Sequence, residues 1–365
     1  MHLLLERNNI LSAMSTALRI VPSRSPLLIT TGILLKTKEN RLEITSTDLE
    51  VTIRCFTPAL EVYREGSLVI PARQAFEIVR RLGEGKIEIE GQEGNVNIAY
   101  PGGEVRINGF PVDEFPVVDT LFESGSGFRI NEGMKTALRS VLYAAGKDEL
   151  RPVFTGVQFE VREGTLTMAA TDAHRLAVFE MPTDLEESCL SIIPAKALKE
   201  VERALGQGEE SVNMVLQQNQ AAFMIDAVEI GTRLIEGRFP DWRAAIPQGP
   251  PRTLVKGETA GLIAAIERAQ VLATGEASTV VLKVHDGGLT VSSQSESGGL
   301  KEKVSLYVDG EDVEIAFNAV YLLDALRVAP QDNFELELNG SLGPALVKTS
   351  ENPGFLALVL PLRML

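Results

Sequence analysis

The sequence predicts an α+β protein of three tandem homologous domains, each with two helices packed on antiparallel sheets. Three markers recurring at one interval carry that prediction. The first reads Gly32-Ile-Leu-Leu followed by Leu42-Glu-Ile-Thr-Ser-Thr-Asp48, then Gly156-Val-Gln-Phe followed by Leu166-Thr-Met-Ala-Ala-Thr-Asp172. A degraded third copy reads Thr279-Val-Val-Leu with Leu289-Thr-Val-Ser-Ser-Gln-Ser295. Gly32 to Gly156 is 124 positions, and Gly156 to Thr279 is 123. The second marker, Ile-Pro-Ala or Phe-Asn-Ala, places Pro71, Pro194 and Asn318 at steps of 123 and 124. The third, Phe115-Pro116, Phe239-Pro240 and Leu360-Pro361, steps by 124 and 121. Unrelated markers in one phase indicate a tandem repeat.

Each unit opens on an amphipathic helix. Ile10, Met14, Leu18 and Val21 form one apolar stripe; Met134, Leu138 and Val141 repeat it, as do Leu262, Ile266 and Ala269. Alternating strands follow, with Ile87/Ile89, Val96/Ile98, Val212/Met214/Leu216 and Phe334/Leu336/Leu338 on buried faces. Gly91–Gly94, Gln217–Gln220 and Asn339–Gly343 supply turn chemistry between strands. A second helix is predicted after each Ile-Pro-Ala marker or its counterpart, over Arg73–Leu82, Lys196–Leu205 and Ala319–Arg327. Pro71 and Pro194 fit just before a helix start, where the missing N–H does no harm. Each repeat is thus helix, strands, helix, strands, in halves of about sixty residues. The seams Ser124-Gly-Ser-Gly127 and Pro247-Gln-Gly-Pro-Pro251 set domain boundaries at 1–124, 125–251 and 252–365.

Composition agrees. The 365 residues suit two to three domains, and 44% hydrophobic with 23% charged residues suits ordinary cores. Apolar runs are too short for a membrane span, and the start turns charged too early for a signal peptide. Cys55 and Cys189 fall in different repeats, which suits a reducing cytosol and neither a disulfide nor a thiolate metal site. A cytoplasmic protein is expected.

The usual enzyme signatures are missing. No phosphate loop, dinucleotide fingerprint or nucleophile elbow occurs, and His2, His174 and His285 lack metal-ligand spacing. One constellation deserves weighing, Thr171-Asp172-Ala173-His174-Arg175. Asp172 and His174 fit an orienter and general base. The alternative is an aspartate that pins a turn, favoured because Thr47-Asp48 recurs in the first repeat with no histidine near.

Charge first argues against nucleic acid: 35 Lys+Arg against 50 Asp+Glu leave −15. Placement qualifies the sum. Arg7, Arg19, Arg73, Arg80, Lys135, Arg139, Lys196, Lys199, Arg203, Arg268 and Arg327 lie opposite the apolar stripes. Gathered on one face they make a basic surface within an acidic body; interleaved with Glu77, Glu200, Glu202 and Glu267 they are ordinary solvated helix faces.

Together these residues resemble the bacterial sliding clamp family, the beta subunit of DNA polymerase III, along the full chain. The most specific pieces are Thr171-Asp-Ala-His-Arg-Leu-Ala177, Glu236-Gly-Arg-Phe-Pro-Asp-Trp242 and Leu360-Pro-Leu-Arg-Met-Leu365. The resemblance implies a DNA clamp fold in which two chains close head to tail into a homodimeric ring around double-stranded DNA. Contact with DNA is then topological and independent of base sequence, so a modest basic lining suffices. It implies a non-enzymatic processivity factor without cofactor or metal, opened by an ATP-dependent clamp loader. Partners are the polymerase III alpha subunit, the loader, and other polymerases and repair proteins carrying short Gln- and Leu-containing motifs; no membrane is involved.

By the same resemblance, a peptide-binding pocket comprises Phe154, Thr171, His174, Arg175, Leu176, Pro240, Ala245, Tyr321, Leu358, Leu360, Pro361, Leu362 and Arg363. DNA contacts map to Arg24, Arg73, Lys147 and Lys196, and the ring seam to Val105 and Ile107 facing Val271 and Leu272 of the other chain. The chain departs from the family pattern at Phe154, Ala173, Trp242 and Ala244, and at Gln74 and Glu104, where basic residues are frequent. An apolar seam is therefore expected, and a pocket narrowed by Phe154 and Trp242.

Overall fold

A computed structural model describes residues 1–365 except 93, 117–121, 123–126, 131, 186–187, 207–210, 274–277, 297, 330–331, 351 and 364–365. Three residues of the predicted first seam, Ser124, Gly125 and Ser126, lie outside the described residues, as do Met364 and Leu365 of the tail. Among the described residues each repeat supplies two long helices: α1 (Arg7–Ala17) and α2 (Ala72–Arg81), α3 (Met134–Leu142) and α4 (Ala195–Ala204), α5 (Thr259–Leu272) and α6 (Ala319–Val328).

Helix starts follow the markers. Pro71 ends a strand and stands as the N-cap of α2 with φ −58°. In the third repeat Asn318 takes that place, and its Oδ1 accepts the Val320 N–H at 2.9 Å, capping α6. The predicted first stripe outruns its helix. Ile10, Met14 and Ala17 are buried on α1, but the helix stops at Ala17 and Leu18 is its C-cap. Two causes act there. The Ser46 hydroxyl donates to the Ala17 carbonyl at 2.7 Å, and Val21 precedes Pro22, which disfavours helical backbone. Val21 is still buried, in the turn that follows.

The chain forms two units. The first comprises Met1–Glu132 and Lys196–Leu234. It holds a five-stranded sheet in the order Glu61–Arg64, His2–Glu6, Lys86–Gln92, Asn95–Tyr100 and Gly103–Asn108. Its eight-stranded sheet runs Phe128–Ile130, Val212–Leu216, Gln220–Ile225, Val228–Arg233, Val51–Pro58, Arg41–Thr47, Gly32–Lys38 and Ser67–Pro71. The second unit comprises Gly133–Ala195 and Ile235–Leu365. Its nine-stranded sheet runs Cys189–Pro194, Gly156–Arg162, Thr165–Thr171, Arg175–Pro182, Phe355–Val359, Ala345–Lys348, Asn333–Leu338, Thr253–Glu258 and Tyr307–Gly310. A four-stranded sheet runs Gly298–Val304, Gly288–Ser295, Thr279–His285 and Val313–Asn318.

Among the described residues every strand pairing is antiparallel, and two pairings join neighbouring repeats. Val228–Arg233 of the second repeat pairs with Val51–Pro58 of the first, and Phe355–Val359 of the third pairs with Arg175–Pro182 of the second. The central repeat therefore gives half of its strands to each unit. A strand edge leaves N–H and C=O groups unpaired, and joining repeat to repeat removes four such edges. Among the described residues no helix is long and apolar enough to cross a membrane.

Cys55 sits buried on Val51–Pro58, and burial pushes its thiol up to about 12. Burial also raises the half-buried Cys189. Because only the thiolate reacts, Cys55 in the native protein is expected to resist alkylation at pH 8 and to react at once in denaturant, as mass spectrometry after iodoacetamide would show. The sign for stability follows. The unfolded thiol ionises from about pH 9 and the native thiol only near pH 12, so Cys55 withdraws stability as pH rises above 9.

Candidate peptide-docking site

The predicted pocket residues all lie in the second unit, and the turn Thr171–Arg175 organises them. Asp172 Oδ1 accepts the backbone N–H of His174 and of Arg175, each at 3.0 Å, and Oδ2 accepts Arg175 Nε at 2.9 Å. Thr171 donates its hydroxyl to the Arg175 carbonyl at 2.6 Å and accepts from Ala173 N–H at 3.2 Å. The first repeat builds the same turn: Asp48 Oδ1 accepts from Glu50 and Val51 at 3.1 and 2.8 Å. Asp172 is thus a turn-pinning residue with both oxygens engaged. His174 is exposed, and its ring has no hydrogen-bond partner among the described residues. The general-base reading loses its geometry.

The turn carries a backbone cost. Ala173 has φ 77°, and Leu49 at the matching place has φ 80°. A β-branched residue is poorly tolerated there, so Ala173→Val is expected to destabilise by about 1–2 kcal/mol. Ala173→Gly relieves the strain but adds freedom to the unfolded chain, leaving a change within about 0.5 kcal/mol. Denaturant melts of the two variants give the check.

Around this turn the polar half of the site assembles. Arg175 is largely buried; its Nη1 donates to Asp324 Oδ2 at 2.6 Å, and its guanidinium lies 4.5 Å from the Tyr321 ring centre and 5.4 Å from that of Tyr143. Held by two carboxylates between two aromatic faces, it is a rigid positioning residue. Burial raises the Tyr143 phenol well above its ordinary range, so it stays protonated. His174 stacks on Tyr321 at 6.3 Å between ring centres. Leu360 N–H donates to the His174 carbonyl at 2.9 Å, and Leu362 N–H to the Ala316 carbonyl at 2.8 Å, so the tail is fastened beside the turn.

The apolar half is one cluster: Leu176 and Val178 from one strand, Leu358 from the strand beside it, Leu346 from the next strand out, and Phe239 and Trp242 from the linker. Trp242 Nε1–H donates to Gln158 Oε1 at 2.9 Å, and the Arg243 guanidinium lies 4.2 Å from its ring centre and pairs with Glu160 at 2.7 Å. Pro240, Pro361 and Leu362 are half-buried; Ala245, Leu360 and Arg363 are exposed. Phe154 is half-buried, with Arg151 5.1 Å from its ring centre. Thr171 is buried with its hydroxyl committed to backbone, so it shapes the turn and offers a ligand nothing. Asp324, Tyr143, Gln158 and Leu346 are site residues that sequence reasoning missed. Leu346 stands in a short apolar run, Ala345-Leu-Val347, which reads as core and does not single it out. Apolar walls beside a few fixed polar groups suit a short peptide.

The predicted DNA contacts divide. Arg24 and Lys147 are exposed and without a carboxylate partner among the described residues. Arg73 donates to the Val21 carbonyl at 3.0 Å, and Lys196 pairs with Asp48. Several other helix cations are also matched: Arg80 with Glu77, Arg203 with Glu200, Arg268 with Glu302, Arg327 with Glu267. At the predicted seam Ile107 is buried within its own sheet, Val105 and Leu272 are half-buried, and Val271 is 81% exposed.

Comparison with known proteins places this architecture. Models of the N-terminal, central and C-terminal domains of the DNA polymerase III beta subunit match residues 1–119, 130–241 and 243–363. The beta sliding clamp of Halalkalibacterium halodurans is 31% identical over 380 residues, covering all of both chains. That of Bacillus subtilis is 31% identical and covers 98% of each. The crystal structure of the B. subtilis polymerase sliding clamp superposes with a TM-score of 0.94 at 29% identity over the whole of both chains. A Pseudomonas aeruginosa sliding clamp bound to griselimycin gives 0.94 at 26% identity, again over both whole chains. Three clamp domains in order, along the whole length, leave one assignment: the chain belongs to the beta sliding clamp family, the beta subunit of DNA polymerase III.

Proposed function

We propose that this chain is a processivity clamp: two copies close head to tail around duplex DNA and keep the replicative polymerase on its template. The observation that carries the reading is the ordered match of three clamp domains along the entire chain. The domains are read as 1–124, 125–251 and 252–365. The protein does no chemistry; Asp172 is occupied in its turn, and the loader supplies the work of opening. It acts in the cytoplasm.

Free sheet edges support a closed ring. Gly103–Asn108 ends the five-stranded sheet and Gly298–Val304 ends the four-stranded one. An unpaired edge invites another strand. Pairing these edges between two copies continues both sheets and brings Val105 and Ile107 to the α5 end with Val271 and Leu272. Each copy offers one edge of each kind, so two copies satisfy both.

The cluster around Leu176, Trp242 and Leu358 receives the apolar part of a partner motif. His174, Arg175, Tyr321 and Arg363 orient it, while Phe154, Pro240, Ala245, Leu360, Pro361 and Leu362 complete the rim and Thr171 holds the turn. The alpha subunit, the loader and repair polymerases compete there. Arg24 and Lys147, without a carboxylate partner among the described residues, are the stronger candidates for sliding contacts with phosphate, and Arg73 and Lys196 contribute after exchanging their present partners. Light scattering after size exclusion should give twice the 39.6 kDa chain mass. A stable species of one chain would remove the ring.

A further inference from the structure

The first unit contains a cavity of about 530 Å³ between the strands Gly32–Lys38, Arg41–Thr47 and Val51–Pro58 and the Val112–Pro116 segment. Its lining is amphipathic. Leu34, Phe56, Val112, Phe115, Phe122 and Met224 supply apolar wall. Buried Arg54 forms part of the floor, 3.4 Å from Glu229 Oε1 and 3.6 Å from Glu43 Oε1. Both floor carboxylates are thus matched by a guanidinium. Lys36 and Lys38 are exposed on the rim without a carboxylate partner among the described residues. Arg41 joins them, 5.9 Å from the Phe56 ring centre and 3.7 Å from Glu39. Four cations and two carboxylates line the groove, and with Glu39 beside Arg41 counted the locality still keeps one excess positive charge in a chain of net charge −15.

The repeat gives this groove a counterpart. At a step of 124, Phe115-Pro116 corresponds to Phe239-Pro240, Thr45 to Ala169, Arg54 to Val178 and Lys36 to Glu160. The cavity therefore occupies in the first repeat the place that the apolar cluster occupies in the second. The chemistry has diverged: where the second repeat has Val178 and a Glu160 already paired with Arg243, the first has a buried cation and an exposed lysine.

We propose that this groove is a second docking site, which takes an acidic linear peptide carrying an apolar or aromatic residue beside its carboxylates. The side chain enters between Phe56, Val112 and Phe115, and the carboxylates meet Lys36 and Lys38 at the rim. A chain of net charge −15 disfavours such a segment over most of its surface, and the basic rim offers it charge beside an apolar wall. The apolar wall favours a peptide over a nucleic-acid backbone, which needs cations and no hydrophobic cleft.

The test uses the full-length protein and two fluorescein-labelled peptides, Glu-Leu-Asp-Phe-Gly and its charge-reversed form Lys-Leu-Lys-Phe-Gly, read by fluorescence anisotropy. The acidic peptide is expected to bind and the reversed one not. Lys36→Glu with Lys38→Glu should weaken binding by about tenfold, since two exposed attractions become repulsions. Both lysines are exposed, and an unchanged melting temperature will show that the double variant folds. A chain truncated before Leu360 should bind the acidic peptide undiminished, which separates this groove from the second-unit pocket. The proposal is overturned by equal binding of both peptides, by no binding of either, or by an unaffected double variant. Loss of binding in the truncated chain, or displacement by a short DNA duplex at the same concentration, overturns it as well.

Discussion

Replacing Val271 with Asp is expected to convert a two-chain species into single chains while leaving each chain folded. Val271 is 81% exposed on the last turn of α5, so a carboxylate there stays in water in the free chain and costs the fold little. In the proposed ring the same position would face the apolar Val105 and Ile107 of the other copy. An unpaired carboxylate buried there costs several kcal/mol. A twofold ring has two such seams, both carrying the substitution, so the penalty counts twice per dimer. Ile107 makes a poor probe because it is already 4% exposed within its own sheet, and a charge there would unfold the chain as well as open the ring. Light scattering and a thermal melt separate the outcomes: one 39.6 kDa chain with unchanged melting is the prediction. A Val271→Asp protein still at twice that mass would place the seam elsewhere.

Deleting the tail from Leu360 onward is expected to lower affinity for a Gln- and Leu-containing partner peptide by about thirtyfold or more, in line with the ~2 kcal/mol of an interface hot spot. The tail meets the site at two points, Leu360 N–H on the His174 carbonyl and Leu362 N–H on the Ala316 carbonyl. The strand Phe355–Val359 ends before the cut and keeps its pairing with Arg175–Pro182, so Leu358 remains in the cluster. The deletion should therefore spare folding and ring closure while removing one wall and the Arg363 charge. Peptide titration of the truncated protein gives the answer, and undiminished affinity would overturn the pocket.

What the sequence made legible, and what it hid, follows from range. Helix starts at Pro71, Pro194 and Asn318 were readable because a cap is a local event of a few residues. The Asp172 turn was readable for the same reason, since its repeat at Asp48 ruled in favour of structure. The end of α1 was misread: the apolar stripe continues to Val21, but a hydroxyl 29 residues away, Ser46, ends the helix. The sharing of the central repeat between two sheets was invisible, because strand pairing leaves no mark on alternation within a strand. Most of the site appeared through resemblance, yet Asp324 and Tyr143 did not. Asp324 reaches Arg175 across 149 positions, and a carboxylate on a helix reads as solvated surface. Arg54 was hidden in the same way: a cation in a strand gives no sign that Glu43 and Glu229 will neutralise it in a buried floor.

Ring closure on DNA is the central claim, and topology tests it most directly. Protein assembled by its loader on nicked circular DNA is followed by gel filtration before and after the circle is cut once. A clamp that encircles its template stays with the circle at high salt and leaves when linear ends appear. Protein released by salt from the intact circle, or retained after the cut, would contradict encirclement and leave only surface binding.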